Sequence, residues 1–218
     1  MKSTKERILA QGLNLLTSTG FANVTVGVLA QRSGMSKSGL FAHFGSKEDV
    51  QLELLEETLR VGTATFIEPA LRHPPGLERL RAVVHGWFGW TEKAGLEGGC
   101  PIAAGLFEYD DAPVEAPVRQ RLVAMEERWR MFLGTMASEA VEAGELRADL
   151  DVEQFVWELH GLYLNHHVSQ RFLHDPNANA RAQEAFEGLI KRSLSEKRKA
   201  VHKKRKDLKP DQPAKEAR

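Results

Sequence analysis

Between Thr25 and Lys47 the sequence reads TVGVLAQRSGMSKSGLFAHFGSK, which sets Ser36, Lys37 and Ser38 in succession just after a Gly34-Met35 turn. Two hydroxyls and an ammonium at the start of a short helix supply donors and acceptors suited to base edges and phosphate oxygens. Two short helices joined at Gly34-Met35-Ser36 make a helix-turn-helix, with Val26, Leu29, Ala30, Leu40 and Phe44 as its internal packing. Gly39 falls inside the second of these helices, where glycine costs about 1 kcal/mol relative to alanine. Its expected role is to let the backbone and its neighbours come close to a partner surface.

Other reactive side chains are sparse. Cys100 stands in Gly98-Gly99-Cys100-Pro101, at the mouth of a predicted helix whose N-terminus favours a thiolate. It reads either as a redox or electrophile sensor or as a small residue buried in a tight turn. His160, His166 and His167 share one predicted helix, with His160 and His167 on the same face. The i, i+4 histidine pair of helical zinc motifs is missing and Cys100 has no second cysteine beside it, so no metal site is expected. Nor is there a nucleophile motif, a phosphate loop or a paired-carboxylate signature. The expectation is a protein that is not an enzyme and carries no cofactor.

The elements that must position these residues are helices. Strand-like alternation is scarce, and helical periodicity is broken by short Gly, Pro and Ser punctuation, so the fold class is all-α. Ser3 caps the first predicted helix, Glu6 reaches back to it, and Gly20 ends it. Thr25, Ser36 and Ser46 begin the next three. Further helices are predicted at about 64–71, 76–93, 101–109, 114–143, 151–173 and 177–199. Domain limits follow as a helix-turn-helix head over 1–47, a larger helical body over 48–195, and a Lys-rich tail over 196–218 with almost nothing to bury, expected to be disordered.

The chain of 218 residues is 42% hydrophobic and 28% charged, enough apolar material for a core. No apolar run approaches the roughly 18 residues of a membrane span, so no membrane partner is expected. The opening MKSTKER lacks the apolar block of a secretory signal, and a single cysteine excludes an internal disulfide framework; a reducing, cytoplasmic setting is the reading. A formal net charge of zero hides an asymmetry: +3 over residues 1–50, −11 over 51–190 and +8 over 191–218. Basic ends around an acidic middle point to the ends as the parts that meet a polyanion, and the Lys-rich tail either adds salt-sensitive DNA affinity or is merely solvated.

Residues 4–60 resemble the DNA-binding domain of the TetR family of transcriptional regulators. The resemblance rests on the leading helix ending in Gly20-Phe21, on Thr25-Val26 opening the second helix, on the block Ser36-Lys37-Ser38-Gly39-Leu40-Phe41-Ala42-His43-Phe44, and on Ser46-Lys47-Glu48 opening the connecting helix. It implies that Ser36, Lys37 and Ser38 read the major groove, that Phe41 and His43 face the phosphate backbone, and that Thr25 and Lys47 meet phosphates at helix N-termini. The family commonly has tyrosine where this chain has Phe41, so a hydroxyl-to-phosphate bond is missing here.

The resemblance further implies a ligand-responsive regulator, most often a repressor, that binds double-stranded operator DNA as a homodimer through its two C-terminal helices and is released by a small-molecule effector. Aromatic and sulfur side chains at helical spacing in the body are then candidates to line an effector pocket: Trp87, Phe88, Cys100, Phe107, Met125, Trp129, Trp157, His160 and Tyr163. Read without the resemblance, aromatics at such spacing are simply core.

Overall fold

The computed structural model describes residues 3–196 and 198–200. Each early helix begins where a side chain satisfies free backbone amides. Helix α1 (Thr4–Thr19) opens on a reciprocal cap, Ser3 Oγ accepting from the Glu6 amide at 3.2 Å and the Ser3 amide donating to Glu6 Oε2 at 2.6 Å. Helix α2 (Val26–Ser33) is capped by Thr25, and Gly34 ends it in the left-handed conformation at φ +64°. Helix α3 (Lys37–Phe41) is capped by Ser36, and α4 (Lys47–Gly62) by Ser46 with Glu48 and Asp49 in its first turn. A π-helical turn over Thr63–Ile67 then leads into α5 (Glu68–Ala70).

The body continues as α6 (Leu77–Trp87), α7 (Trp90–Lys93), α8 (Pro101–Glu108), α9 (Pro117–Glu142), α10 (Val152–Arg171) and α11 (Ala178–Ser193). The single helix expected over 76–93 is two. Phe88 is extended and Gly89 lies at φ +71°, which turns the chain before α7 begins. The last helix stops at Ser193, short of the expected 199, because Leu194 leaves the helix to form an isolated antiparallel bridge with Leu146. No strand forms among the described residues. No helix among them is long and apolar enough to cross a membrane. Nearly all of the Lys-rich tail lies outside the described residues.

Two apolar clusters make the interior. One holds the head together around Leu13, Phe21, Leu29, Leu40 and Leu54, and Val118, Leu122 and Met125 of α9 reach into it. The other fills the body around Leu80, Trp87, Leu133, Phe155 and Phe186. Because Val50, Leu54 and Leu55 of α4 belong to the first cluster, the packed head extends past residue 47.

At the junction of head and body the backbone comes very close. The Gly99 amide donates to the Thr17 carbonyl at 3.1 Å, and a Cβ on Gly98 would lie 1.8 Å from that same oxygen. Only glycine fits there without moving α1 or the loop. Gly98→Ala is therefore expected to cost about 1–3 kcal/mol of stability in denaturant unfolding, as overpacked sites do, and a denaturation midpoint equal to that of the parent chain would contradict this account of the junction.

Candidate nucleic-acid interface and ligand cavity

On the head, α3 turns its polar side outward. Ser36, Lys37 and Ser38 are exposed, while Leu40 and Phe44 are buried beneath them. Ser36 Oγ accepts from the Gly39 amide at 3.0 Å and lies 3.1 Å from Ser38 Oγ. Its cap thus holds the short helix while the outer side chains stay open to solvent. Gly39 has an internal reason beyond close approach to a partner: a Cβ there would come within 3.2 Å of Ser36 Oγ and crowd the cap. Phe41 is 51% exposed, and His43 is exposed beside it. Thr25 is half-buried, its hydroxyl accepting from the Val28 amide at 3.2 Å. Lys47 is exposed, but its Nζ already donates to the Ala22 carbonyl at 3.2 Å, so it also ties α4 to the turn between α1 and α2.

Inside the body is a cavity of about 80 Å³, walled by α4, the π-helical turn and α6 to α10. A polar cavity needs only about 10–15 Å³ to hold one water, so this one has room for a small organic group. Of the candidates from the sequence, Trp87, Cys100, Met125, Trp129, His160 and Tyr163 line it. Phe88, Phe107 and Trp157 are not part of this wall. The extended backbone at Phe88 sends its ring instead toward His166 and Tyr163, with centroids 5.4 and 6.2 Å away. Phe107 lies past the edge of the α8 face formed by Ile102, Ala103 and Leu106, and is 53% exposed. Trp157 stands on an outward stripe of α10 and is 65% exposed.

Aromatic rings dominate the wall. Phe66, Trp90 and Trp129 pack edge or tilted at 5.9–6.1 Å, Trp87 meets Trp129 at 4.8 Å, and Trp87 stacks on Tyr163 at 3.8 Å. The Trp90 indole donates to Tyr163 Oη at 3.2 Å. Burial, with Cys100 alongside, pushes the Tyr163 phenol well above its usual range and keeps it neutral.

The wall has one carboxylate, Glu126, which the sequence reading did not single out. Its Oε1 takes both His160 Nε2 at 2.6 Å and Arg130 Nε at 2.7 Å. Burial acts to raise the Glu126 pKa, but the hydrogen bonds and charges of His160 and Arg130 outweigh it, and the carboxyl sits below its ordinary value. An i, i+4 Glu126–Arg130 pair on a long helix looks like a solvated face, which is why it passed unnoticed.

The other histidines have separate settings. His166 hydrogen-bonds Asn179 at 2.6 Å, and burial lowers its pKa. His167, lowered to about 4 by burial and by Arg171 and His166, packs over Gly99. No group of three His, Cys, Asp or Glu side chains converges as a metal-ligand set among the described residues.

Helix α8 joins cavity to head. Its N-terminal stretch supplies Cys100, Ile102 and Ala103 to the cavity wall. Immediately before it, the Glu97 amide donates to Asn14 Oδ1 at 2.9 Å and the Gly99 amide to Thr17 O. At its other end, Glu108 Oε2 accepts from the Phe21 and Ala22 amides at 2.9 and 3.3 Å. Tyr109 sets its ring edge-on to Phe21 at 5.4 Å and donates to Gln51 Oε1 at 3.2 Å, and Gln51 Nε2 reaches back to the Phe21 carbonyl at 3.0 Å. These bridging residues carry no signal in the sequence, since their partners lie 30 to 87 positions away.

Comparison with known proteins fits this division. A family model described as bacterial regulatory proteins, tetR family, matches residues 8–54, and one described as tetracyclin repressor-like, C-terminal domain, matches residues 76–186. Among solved structures, a TetR transcriptional regulator from Chloroflexus aurantiacus is similar at TM-score 0.77 and 23% identity, covering 88% of this chain and 96% of its own. A TetR-family regulator from Cytophaga hutchinsonii is similar at TM-score 0.75 and 17% identity, covering 88% and 94%. The regulator PfmR from Thermus thermophilus is similar at TM-score 0.63 and 26% identity, covering 87% and 99%. No curated protein matches the chain.

Proposed function

Since the chain belongs to the TetR family of transcriptional regulators, we propose that it is a non-enzymatic repressor that grips operator DNA as a homodimer and lets go when a small molecule enters the cavity in its body. The observation that carries this reading is the position of α8, which is cavity wall at one end and a clamp on the helix-turn-helix at the other. A ligand that favours a different seat for α8 then changes the placement of α1 and, through it, of α3. By linkage, DNA and ligand weaken each other's binding by equal factors. Helix α4 is a second route, since it begins in the head at Lys47 and brings Thr58, Leu59 and Gly62 to the same cavity.

On this reading Ser36, Lys37, Ser38 and Gly39 enter the major groove, with Thr25, Phe41, His43 and Lys47 against the backbone. The partner copy docks on the outward stripe of α10. Trp157, Val168 and Phe172 recur there on one side and are exposed, and a Cβ on Gly161 would meet nothing within 4 Å. So much contiguous apolar surface on one helix suits an interface. A twofold pairing there presents two α3 helices to successive major grooves, about 34 Å apart per helical turn of DNA.

Three measurements test these assignments. Selection of bound DNA from random sequence should return a site with twofold symmetry. Lys37→Ala should then weaken binding to that site by about 1–3 kcal/mol if the lysine reads a base, whereas an equal loss on random DNA would confine it to phosphate. In sedimentation, the parent chain should run as a dimer and Trp157→Arg as a monomer; a variant still dimeric would place the interface elsewhere. The clamp is read from the cavity tryptophans, whose emission should change when the selected DNA binds. Glu108→Ala should bind DNA but show little of that change, and a full response from it would remove α8 from the route.

A further inference from the structure

The chemistry of the cavity wall narrows the ligand beyond the reading just given, on which this inference rests. Three indoles and a phenyl ring, Trp87, Trp90, Trp129 and Phe66, surround the space. Their faces carry the negative end of the ring quadrupole, which attracts a cation stripped of water. Among them stands one fixed charge, the Glu126 carboxylate. Its Oε1 receives both the His160 and the Arg130 donors, whereas Oε2 has no hydrogen-bond partner among the described residues. Arg130 Nη2, which can only donate, lies 3.5 Å from His160 Nδ1. Arg130 itself is 44% exposed and is not part of the cavity wall.

We infer that the cavity takes a small organic cation of the alkylammonium class, its head held against the indole faces with Glu126 Oε2 as counter-charge. Each alternative fits less well. A carboxylate or phosphate ligand would confront Glu126 across an apolar space where repulsion is poorly screened. A wholly apolar ligand would bury Oε2 against hydrocarbon with no compensation. A hard metal ion demands several oxygen ligands, and the wall offers one carboxylate among aromatic rings.

The test uses three probes of similar shape and different charge with the full-length protein: tetramethylammonium, tert-butanol and pivalate. Binding is followed by ligand-detected NMR and by emission of the wall tryptophans. Tetramethylammonium should bind about tenfold more tightly than tert-butanol, the margin expected of a desolvated cation–aromatic contact, and pivalate should bind weakest. Glu126→Gln should erase most of the preference for the cation, and Trp129→Leu should weaken the cation more than the alcohol. The parent chain with its three probes decides the matter even if a variant fails to fold. Equal affinity for cation and alcohol, tighter binding of pivalate, or no binding of any probe up to about 0.1 M overturns the inference. Operator selection is run separately. Specific DNA binding without cation preference sinks this inference alone, and cation preference without any selected operator sinks the regulatory reading alone.

Discussion

The meeting of the Gly98 backbone with the carbonyl of Thr17 is the constraint from which the rest of the molecule takes its shape. A side chain on residue 98 would sit 1.8 Å from that oxygen, so loop and helix meet there main chain to main chain. Main-chain contacts do not change rotamer to absorb a shift, and packed interiors switch between arrangements more readily than they deform smoothly. The loop is followed directly by Cys100 in the cavity wall, and the helix is the first of the DNA-reading head. No flexible linker separates the two parts. Val118, Leu122 and Met125 of α9 even complete the core of the head, so the head is not a separately packed unit tethered to a body.

Electrostatics divide along the same junction. The first 50 residues carry a balance of +3 and residues 51–190 a balance of −11, an arrangement that draws the head toward a polyanion and turns the body away from it. Within the head, Lys5 is engaged with Glu53 at 2.7 Å and Lys47 with the Ala22 carbonyl, while Lys37 is exposed and lies over Gly27 of α2. Cationic side chains that support the fold are thus distinct from the one that leads the reading helix. In the body the negative charge comes indoors at one place, Glu126, where His160 and Arg130 on a single oxygen hold the carboxyl below its ordinary value.

Local chemistry was legible in the sequence, and long-range neighbours were not. The caps at Ser3, Thr25, Ser36 and Ser46 and the left-handed stop at Gly34 are set by residues within four positions of one another, and the structure has each of them. The break at Gly89 was missed because a single glycine within an apolar stretch is also compatible with a continuous helix. Trp157 and Phe107 show the limit of periodicity. Helix α10 is apolar on two sides, one turned to the core through Leu159 and Tyr163 and the other outward through Trp157 and Phe172, and spacing alone does not say which is which. Glu126 and Glu108 were invisible for the complementary reason. Each is an ordinary helical glutamate until the fold sets it against an indole wall or a pair of backbone amides.

Glu108 is one of several side chains by which α8 and α4 hold the same turn. Each helix runs from the cavity to the turn between α1 and α2: α8 grips it through Glu108 at Phe21 and Ala22, α4 through Lys47 at Ala22 and Gln51 at Phe21. A displacement of one helix alone would pull against the other's hold on the same two residues. The π-helical turn after Gly62 lies where α4 passes the cavity, with Phe66 in the wall and Gly86 of α6 admitting it so closely that a Cβ would lie 2.7 Å from Phe66 Cβ. Such turns carry an extra residue per turn and are often found at functional sites; here it stands at the end of α4 farther from Lys47.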